Sequence, residues 1–125
     1  MRRILVVDDD PHICLAVRAW LKRYGFNVAI ADGGATGLVA LDNSTFDLMI
    51  VDIKMGEGSG VAAVKEILHE GFVPHVFATG DLLRNLDLGP DAVLIQKPYR
   101  RADLVAAIER AIGGATSQTV ESAPV

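Results

Sequence analysis

Ile4-Leu5-Val6-Val7-Asp8-Asp9-Asp10-Pro11 decides the fold. Four aliphatic residues run without a polar break and stop at three acids and a proline. An unbroken apolar run of this length fits a strand covered on both faces, as in a parallel sheet, better than a strand with one wet face. The acids then sit where the strand emerges at its C-terminal edge, the edge at which open α/β sheets bind ligands. Asp10 before Pro11 reads as a helix N-cap followed by a first helical residue. One stretch thus predicts a central strand, a carboxylate cluster at its tip and a helix leaving it.

The rest of the chain repeats that alternation. After the strand Arg3 to Val7, a helix is expected from Pro11 to about Tyr24, with Ile13, Val17, Trp20, Leu21 and Tyr24 on one stripe and Gly25 as its stop. A second strand covers Asn27 to Ala31. Asp32-Gly33-Gly34 turns the chain into a second helix, about Ala35 to Asp42, with Ala35, Leu38 and Leu41 or Asp42 at helical spacing. Leu48-Met49-Ile50-Val51 is another unbroken apolar run, and it too ends in an acid, Asp52. The glycine-rich stretch Gly56 to Gly60 lacks a phosphate-loop pattern and reads as a mobile loop. A third helix uses Val61, Val64, Ile67 and Leu68 and ends at Gly71. The fourth strand, about His75 to Ala78, ends at Thr79-Gly80. A short, irregular fourth helix is expected over Asp81 to Leu86, before Gly89-Pro90. The fifth strand, Ala92 to Gln96, ends at Lys97-Pro98, and a fifth helix runs from Arg101 to Ile112 with Leu104, Ala107, Ile108 and Ala111 inward.

Five strands alternating with five helices give an α/β, doubly wound, five-stranded parallel sheet. Right-handed crossovers leave few topologies, and the flavodoxin-like order 2-1-3-4-5 places the strands ending in Asp9 and Asp52 side by side at the switch point. The 125 residues fit one domain, expected over 1–113, with 114–125 as a disordered polar tail. Half the residues are hydrophobic, enough for a core. A net charge of −4 argues against a nucleic-acid-binding surface. No apolar run reaches membrane-spanning length, and the single cysteine, Cys14, lies in an apolar helical pattern that reads as packing. The start does not read as a secretory leader, because acids follow after four apolar residues; a cytoplasmic protein is expected. His12 and His69 read as helix-surface residues and His75 as a strand start, without metal-ligand spacing. Arg100-Arg101 reads as a solvated helix start.

The strand ends carry the chemistry. Asp8 and Asp9, Asp52, Thr79 and Lys97 all fall at one edge of the sheet. Two unit charges about 4 Å apart repel by about 4 kcal/mol at an effective dielectric near 20, so three carboxylates there call for a cation. Oxygen ligands with no His or Cys beside them favour Mg²⁺. A carboxylate can also attack phosphorus to form an aspartyl phosphate, with a cation and a hydroxyl holding the phosphoryl oxygens.

Taken in order, Val6-Val7-Asp8-Asp9-Asp10-Pro11, Asp47-Leu48-Met49-Ile50-Val51-Asp52-Ile53-Lys54-Met55, Ala78-Thr79-Gly80 and Lys97-Pro98 resemble the response-regulator receiver domain of two-component signalling, over about Arg3 to Ile112. The resemblance implies that Asp52 is the phosphoacceptor. It implies that Asp9, Asp52 and the backbone carbonyl of Lys54 ligate Mg²⁺ directly, with Asp8 acting through water. Thr79 would donate its hydroxyl to the phosphoryl group and Lys97 would pair with it, and Lys97-Pro98 would be cis. The donor would be a sensor histidine kinase or a histidine phosphotransfer protein, docking on the apolar surface of the first helix. The output would be a change of shape that controls a downstream protein target or passes the phosphoryl group along a relay. Catalysis would extend only to the protein's own phosphorylation and dephosphorylation. The chain's end soon after the fifth helix is read as a regulator of one domain, with dimerisation left open.

Three departures from the family pattern stand out. Leu94 occupies a position where the family often has a switching aromatic. The Thr79–Lys97 segment is short, which puts the dimer face built on the fourth helix in question. Phe77-Ala78-Thr79-Gly80 resembles a subgroup whose motif begins Phe-Ala-Thr-Gly, but Asp81 and Leu82 lack that subgroup's following aromatic. Lys54 and Asp81, two residues beyond Asp52 and Thr79, are expected to pair over the site and slow hydrolysis. Two other functions compete with this reading. One is a receiver-fold binding module that never takes phosphate. The other is an Asp-nucleophile phosphatase built on Asp8 and Asp10.

Overall fold

The computed structural model describes residues 2–55, 58–69, 73–80 and 93–115. Within them, β1 (Arg3–Val7), β2 (Asn27–Ala31), β3 (Leu48–Asp52), β4 (His75–Thr79) and β5 (Val93–Gln96) alternate with α1 (Pro11–Arg23), α2 (Gly34–Asn43), α3 (Gly60–Leu68) and α4 (Arg101–Ala115). The strands form one parallel sheet in the order β2-β1-β3-β4-β5. This is the flavodoxin-like order expected from the two apolar runs.

The burial of each strand follows its place in the sheet. β3 and β4 are buried along their whole length and β1 in all but its first residue, whereas β2 and β5 at the edges are partly exposed. Successive side chains point to opposite faces, so β1 feeds two cores. Ile4 and Val6 pack with Val17, Leu21, Leu104 and Ile108 of α1 and α4. Leu5 and Val7 pack with Met49, Phe77, Val64 and Ile67 on the α2–α3 side.

The helices begin and end for local reasons. The Asp10 carboxylate accepts the His12 N–H at 2.9 Å, capping α1 with Pro11 in the first turn. Gly25 takes φ +88° just beyond the α1 C-cap, a backbone conformation open to glycine at little cost. α4 buries Leu104, Ala107, Ile108 and Ala111, as the spacing predicts.

Several expectations need correction. Tyr24 is 51% exposed, because α1 has ended at Arg23 and the stripe it was assigned to no longer faces the sheet. Its place on the buried side is taken by Cys14, beside Val17 and Leu21. On α2, Ala35 is exposed and Gly37 is buried instead. A Cβ at Gly37 would stand 3.4 Å from the Val7 side chain, in van der Waals contact, so this glycine faces the sheet at a position that apolar periodicity does not register. α4 runs three residues past the expected end at Ile112. Part of the glycine-rich stretch is ordered into a two-residue antiparallel ladder of Lys54–Met55 with Gly58–Ser59. Gly71, the short helix expected over Asp81 to Leu86, and the tail from residue 116 lie outside the described residues.

Candidate phosphoryl-acceptor site

Strand register builds the site as a staircase. Val7 pairs with Val51, so Asp8 emerges from β1 beside Asp52 of β3. Asp52 pairs with Ala78, which places Thr79 one residue further on. Thr79 pairs with Gln96, which places Lys97 one further again. Alternation along β1, β3 and β5 gives Asp8, Asp52 and Lys97 the parity of Val6, Ile50 and Ile95, three residues of the α1–α4 core.

The side chains meet as the register implies. Lys97 Nζ lies 3.2 Å from Asp8 Oδ2 and 3.2 Å from Asp52 Oδ2. Asp8 is 4% exposed and Asp52 7%, so one ammonium joins two buried carboxylates. The Asp10 N–H donates to Asp8 Oδ1 at 2.9 Å, which fixes that carboxylate's remaining oxygen. Asp9 is exposed, and Asp8, Asp9 and Asp52 each offer an oxygen with all three within 4.8 Å of one another. Thr79 is 4% exposed at the end of β4, and its carbonyl accepts the Lys97 N–H at 2.6 Å. The Lys97–Pro98 peptide is cis.

Electrostatics describe a site short of positive charge. Burial pushes the Asp8 carboxyl above its ordinary value; the Asp10 N–H and Lys97 oppose this, and the charge of Asp52 adds to it. Burial works against the charge on Lys97, but Asp8 and Asp52 outweigh it and raise the ammonium's pKa. One lysine shared between two acids leaves negative charge in excess. Three hard oxygen donors without His or Cys in the cluster fit a divalent metal of the Mg²⁺ kind.

Cys14 borders the site without entering it. Its Sγ–H donates to the Asp8 carbonyl at 3.4 Å, and burial, helped by the charge of Asp8, raises its pKa, which suits a packed thiol. His12 and His69 are exposed. His75 starts β4 but is buried, with Nδ1 2.8 Å from the Val73 carbonyl. Arg100 and Arg101 are exposed at the start of α4, where the Arg100 N–H donates to Asp103. Asp81, the expected partner of Lys54, lies outside the described residues.

A protein-family model, the response regulator receiver domain, matches residues 4–109. This chain belongs to the response-regulator receiver family. It is 36% identical over 113 residues to the transcriptional regulatory protein CpxR of Klebsiella pneumoniae, an alignment covering 86% of this chain and 48% of CpxR. The chain thus spans about half the length of that curated relative. A CheY-like response regulator receiver domain protein of Methanospirillum hungatei superposes with a TM-score of 0.84 at 27% identity, over 94% of this chain and 98% of that one. The chemotaxis protein CheY4 of Vibrio cholerae shares the fold with a TM-score of 0.83 at 24% identity, over 89% of this chain and 98% of its own. No helix among the described residues of this receiver is long and apolar enough to cross a membrane.

A residue that the sequence reading passed over is Tyr99. Its ring meets Trp20 of α1 edge-on, with centroids 6.3 Å apart, and it lines a groove of about 390 Å³ with Ile13, Ala16 and Pro98. The sequence signal was an aromatic directly after Lys97-Pro98.

Proposed function

We propose that this receiver takes a phosphoryl group on Asp52 from a phosphohistidine of a sensor kinase or phosphotransfer protein, in a bacterial, cytoplasmic two-component system. The observation that carries the reading is Lys97 Nζ placed 3.2 Å from both Asp8 and Asp52. A half-buried lysine shared in this way can follow charge from the carboxylate to the group that replaces it.

In the transfer, an Asp52 carboxylate oxygen attacks phosphorus, the P–O bond forms and the P–N bond to the donor imidazole breaks. The bonding electron pair leaves with the imidazole nitrogen, which takes up a proton. Lys97 then pairs with a phosphoryl oxygen, and the Thr79 hydroxyl donates to another. Asp9, Asp52 and the Lys54 backbone carbonyl would hold Mg²⁺, with Asp8 reaching it through water. When bound, the metal supplies positive charge against the negative charge that gathers on the phosphoryl oxygens. The groove beside α1, lined by Ile13, Ala16, Trp20, Pro98 and Tyr99, opens next to Lys97 and suits the apolar flank of a histidine-bearing helix. The phosphorylated form then differs in the shape it offers to a downstream protein.

The capping bond from the His12 N–H to the Asp10 carboxylate supports the helix-cap role over that of a phosphatase acid. The test is intact mass after incubation with Mg²⁺ and acetyl phosphate, repeated with a phosphohistidine donor. The expected result is a gain of one phosphoryl group that needs Mg²⁺ and is lost in Asp52→Asn. Silence with both donors would overturn the proposal in favour of a binding module that works without phosphate.

A further inference from the structure

Tyr99 stands between the acidic site and two hollows on the protein surface. On one side it lines the groove beside α1 with Ile13, Ala16, Trp20 and Pro98. On the other it lines a second hollow, of about 380 Å³, with Ile95, Ala106 and Arg110. Tyr99 therefore borders both hollows. The contact that defines its position is the edge-on packing against Trp20.

Tyr99 is also tied to the site through the chain. Lys97, two residues before it, bridges Asp8 and Asp52 through its side chain, and its backbone N–H is held by the Thr79 carbonyl at 2.6 Å. Between them Pro98 has a fixed φ, so a displacement of Lys97 has one torsion fewer in which to dissipate before it reaches Tyr99. β5 itself carries no aromatic. Its large outward side chain is Leu94, 38% exposed. Tyr99 is thus the aromatic nearest in sequence to the bridging lysine.

We propose that Tyr99 couples the state of Asp52 to the shape of the groove beside α1, its ring leaving Trp20 for the hollow lined by Ile95, Ala106 and Arg110 when a phosphoryl group is present. This rests on Asp52 being the phosphoacceptor. A phosphoryl group draws Lys97 Nζ outward from the two carboxylates to the new oxygens, and Pro98 carries that shift to Tyr99. A ring that borders a second hollow has a second place to rest, and packed surroundings favour two discrete positions over a continuous range. The surface that receives the phosphoryl donor would then differ before and after transfer, which favours release of the spent donor.

Trp20 is the only tryptophan in the chain, so its fluorescence reports the contact directly. The experiment uses the full chain with Mg²⁺ and beryllofluoride, a phosphoryl analogue. Bound fluoride is read by ¹⁹F NMR and Trp20 emission is read on the same samples. In the wild type, the emission should shift when the analogue binds. Tyr99→Leu should show bound fluoride and lose the emission shift, Tyr99→Phe should keep it, and Leu94→Ala should keep it too. Bound fluoride with an unmoved Trp20 signal in the wild type would overturn the proposal and leave the phosphoacceptor reading intact. So would a wild-type shift in Tyr99→Leu. Absence of bound fluoride in the wild type would instead remove the phosphoacceptor reading, and the coupling with it.

Discussion

Lys97 and Tyr99 show how much a single position takes from its surroundings. An ammonium on a surface would be worth little in an ion pair. Lys97 instead bridges two carboxylates that are almost fully buried, so removing its ammonium would leave buried charge uncompensated. Tyr99 feels the same acids at longer range. Burial, then the charges of Asp8 and Asp52, push its phenol from 10.0 up to about 12. The folded state therefore holds the phenolic proton more tightly than the unfolded chain. Its contribution to stability is complete below pH 10 and is lost as pH rises toward about 12. Lys97 acts in the same direction, so Tyr99 is isolated by difference. Urea unfolding at a series of alkaline pH values should show a steeper loss of stability in the wild type than in Tyr99→Phe. Parallel curves would show that the ring does not feel the acids.

At the scale of elements, α1 carries the clearest link between local chemistry and the site. One residue, Asp10, caps the helix with its carboxylate and holds Asp8 Oδ1 with its N–H. Asp10→Ala removes the cap and leaves the backbone N–H in place. It should cost about 1 kcal/mol in urea unfolding, with metal affinity falling only as far as the Asp8 loop loosens. A loss near zero would mean that Pro11 and the packing of Val17 and Leu21 set the start of α1 unaided. Helix starts and stops were legible because they rest on neighbouring residues: Asp10, Pro11 and Gly25 were each readable in place. The inward face of α2 was not. Gly37 faces the Val7 side chain, and a glycine gives no sign of such contact in a hydrophobic pattern. Tyr24 misled for the converse reason: its apolar ring fits the stripe, but the helix stops one residue earlier.

Across the whole molecule, the site is a meeting of four strand ends, and its stability should respond to what fills it. A ligand that binds only the folded state stabilises it by about 2.7 kcal/mol when its free concentration is about 100 times Kd. Mg²⁺ should therefore raise the thermal midpoint in a concentration-dependent way, and Asp52→Asn should reduce the increment. Equal increments in both proteins would place the metal elsewhere. The sheet explains why so small a chain can afford a charged pocket. β1, β3 and β4 are covered on both faces by two separate cores, and the acids lie just past the point where those cores end.

By itself the sequence determined the alternation of strands and helices, the central place of the two apolar runs, and the five residues at the strand ends, because each depends on patterns spanning a few neighbouring residues. The tertiary structure alone decided that Lys97 bridges both Asp8 and Asp52, that α2 turns Gly37 inward, and that Tyr99 packs on Trp20 beside two hollows. Each of these joins residues far apart in the chain, and their meeting is set by parallel register and helix packing, which no local pattern encodes.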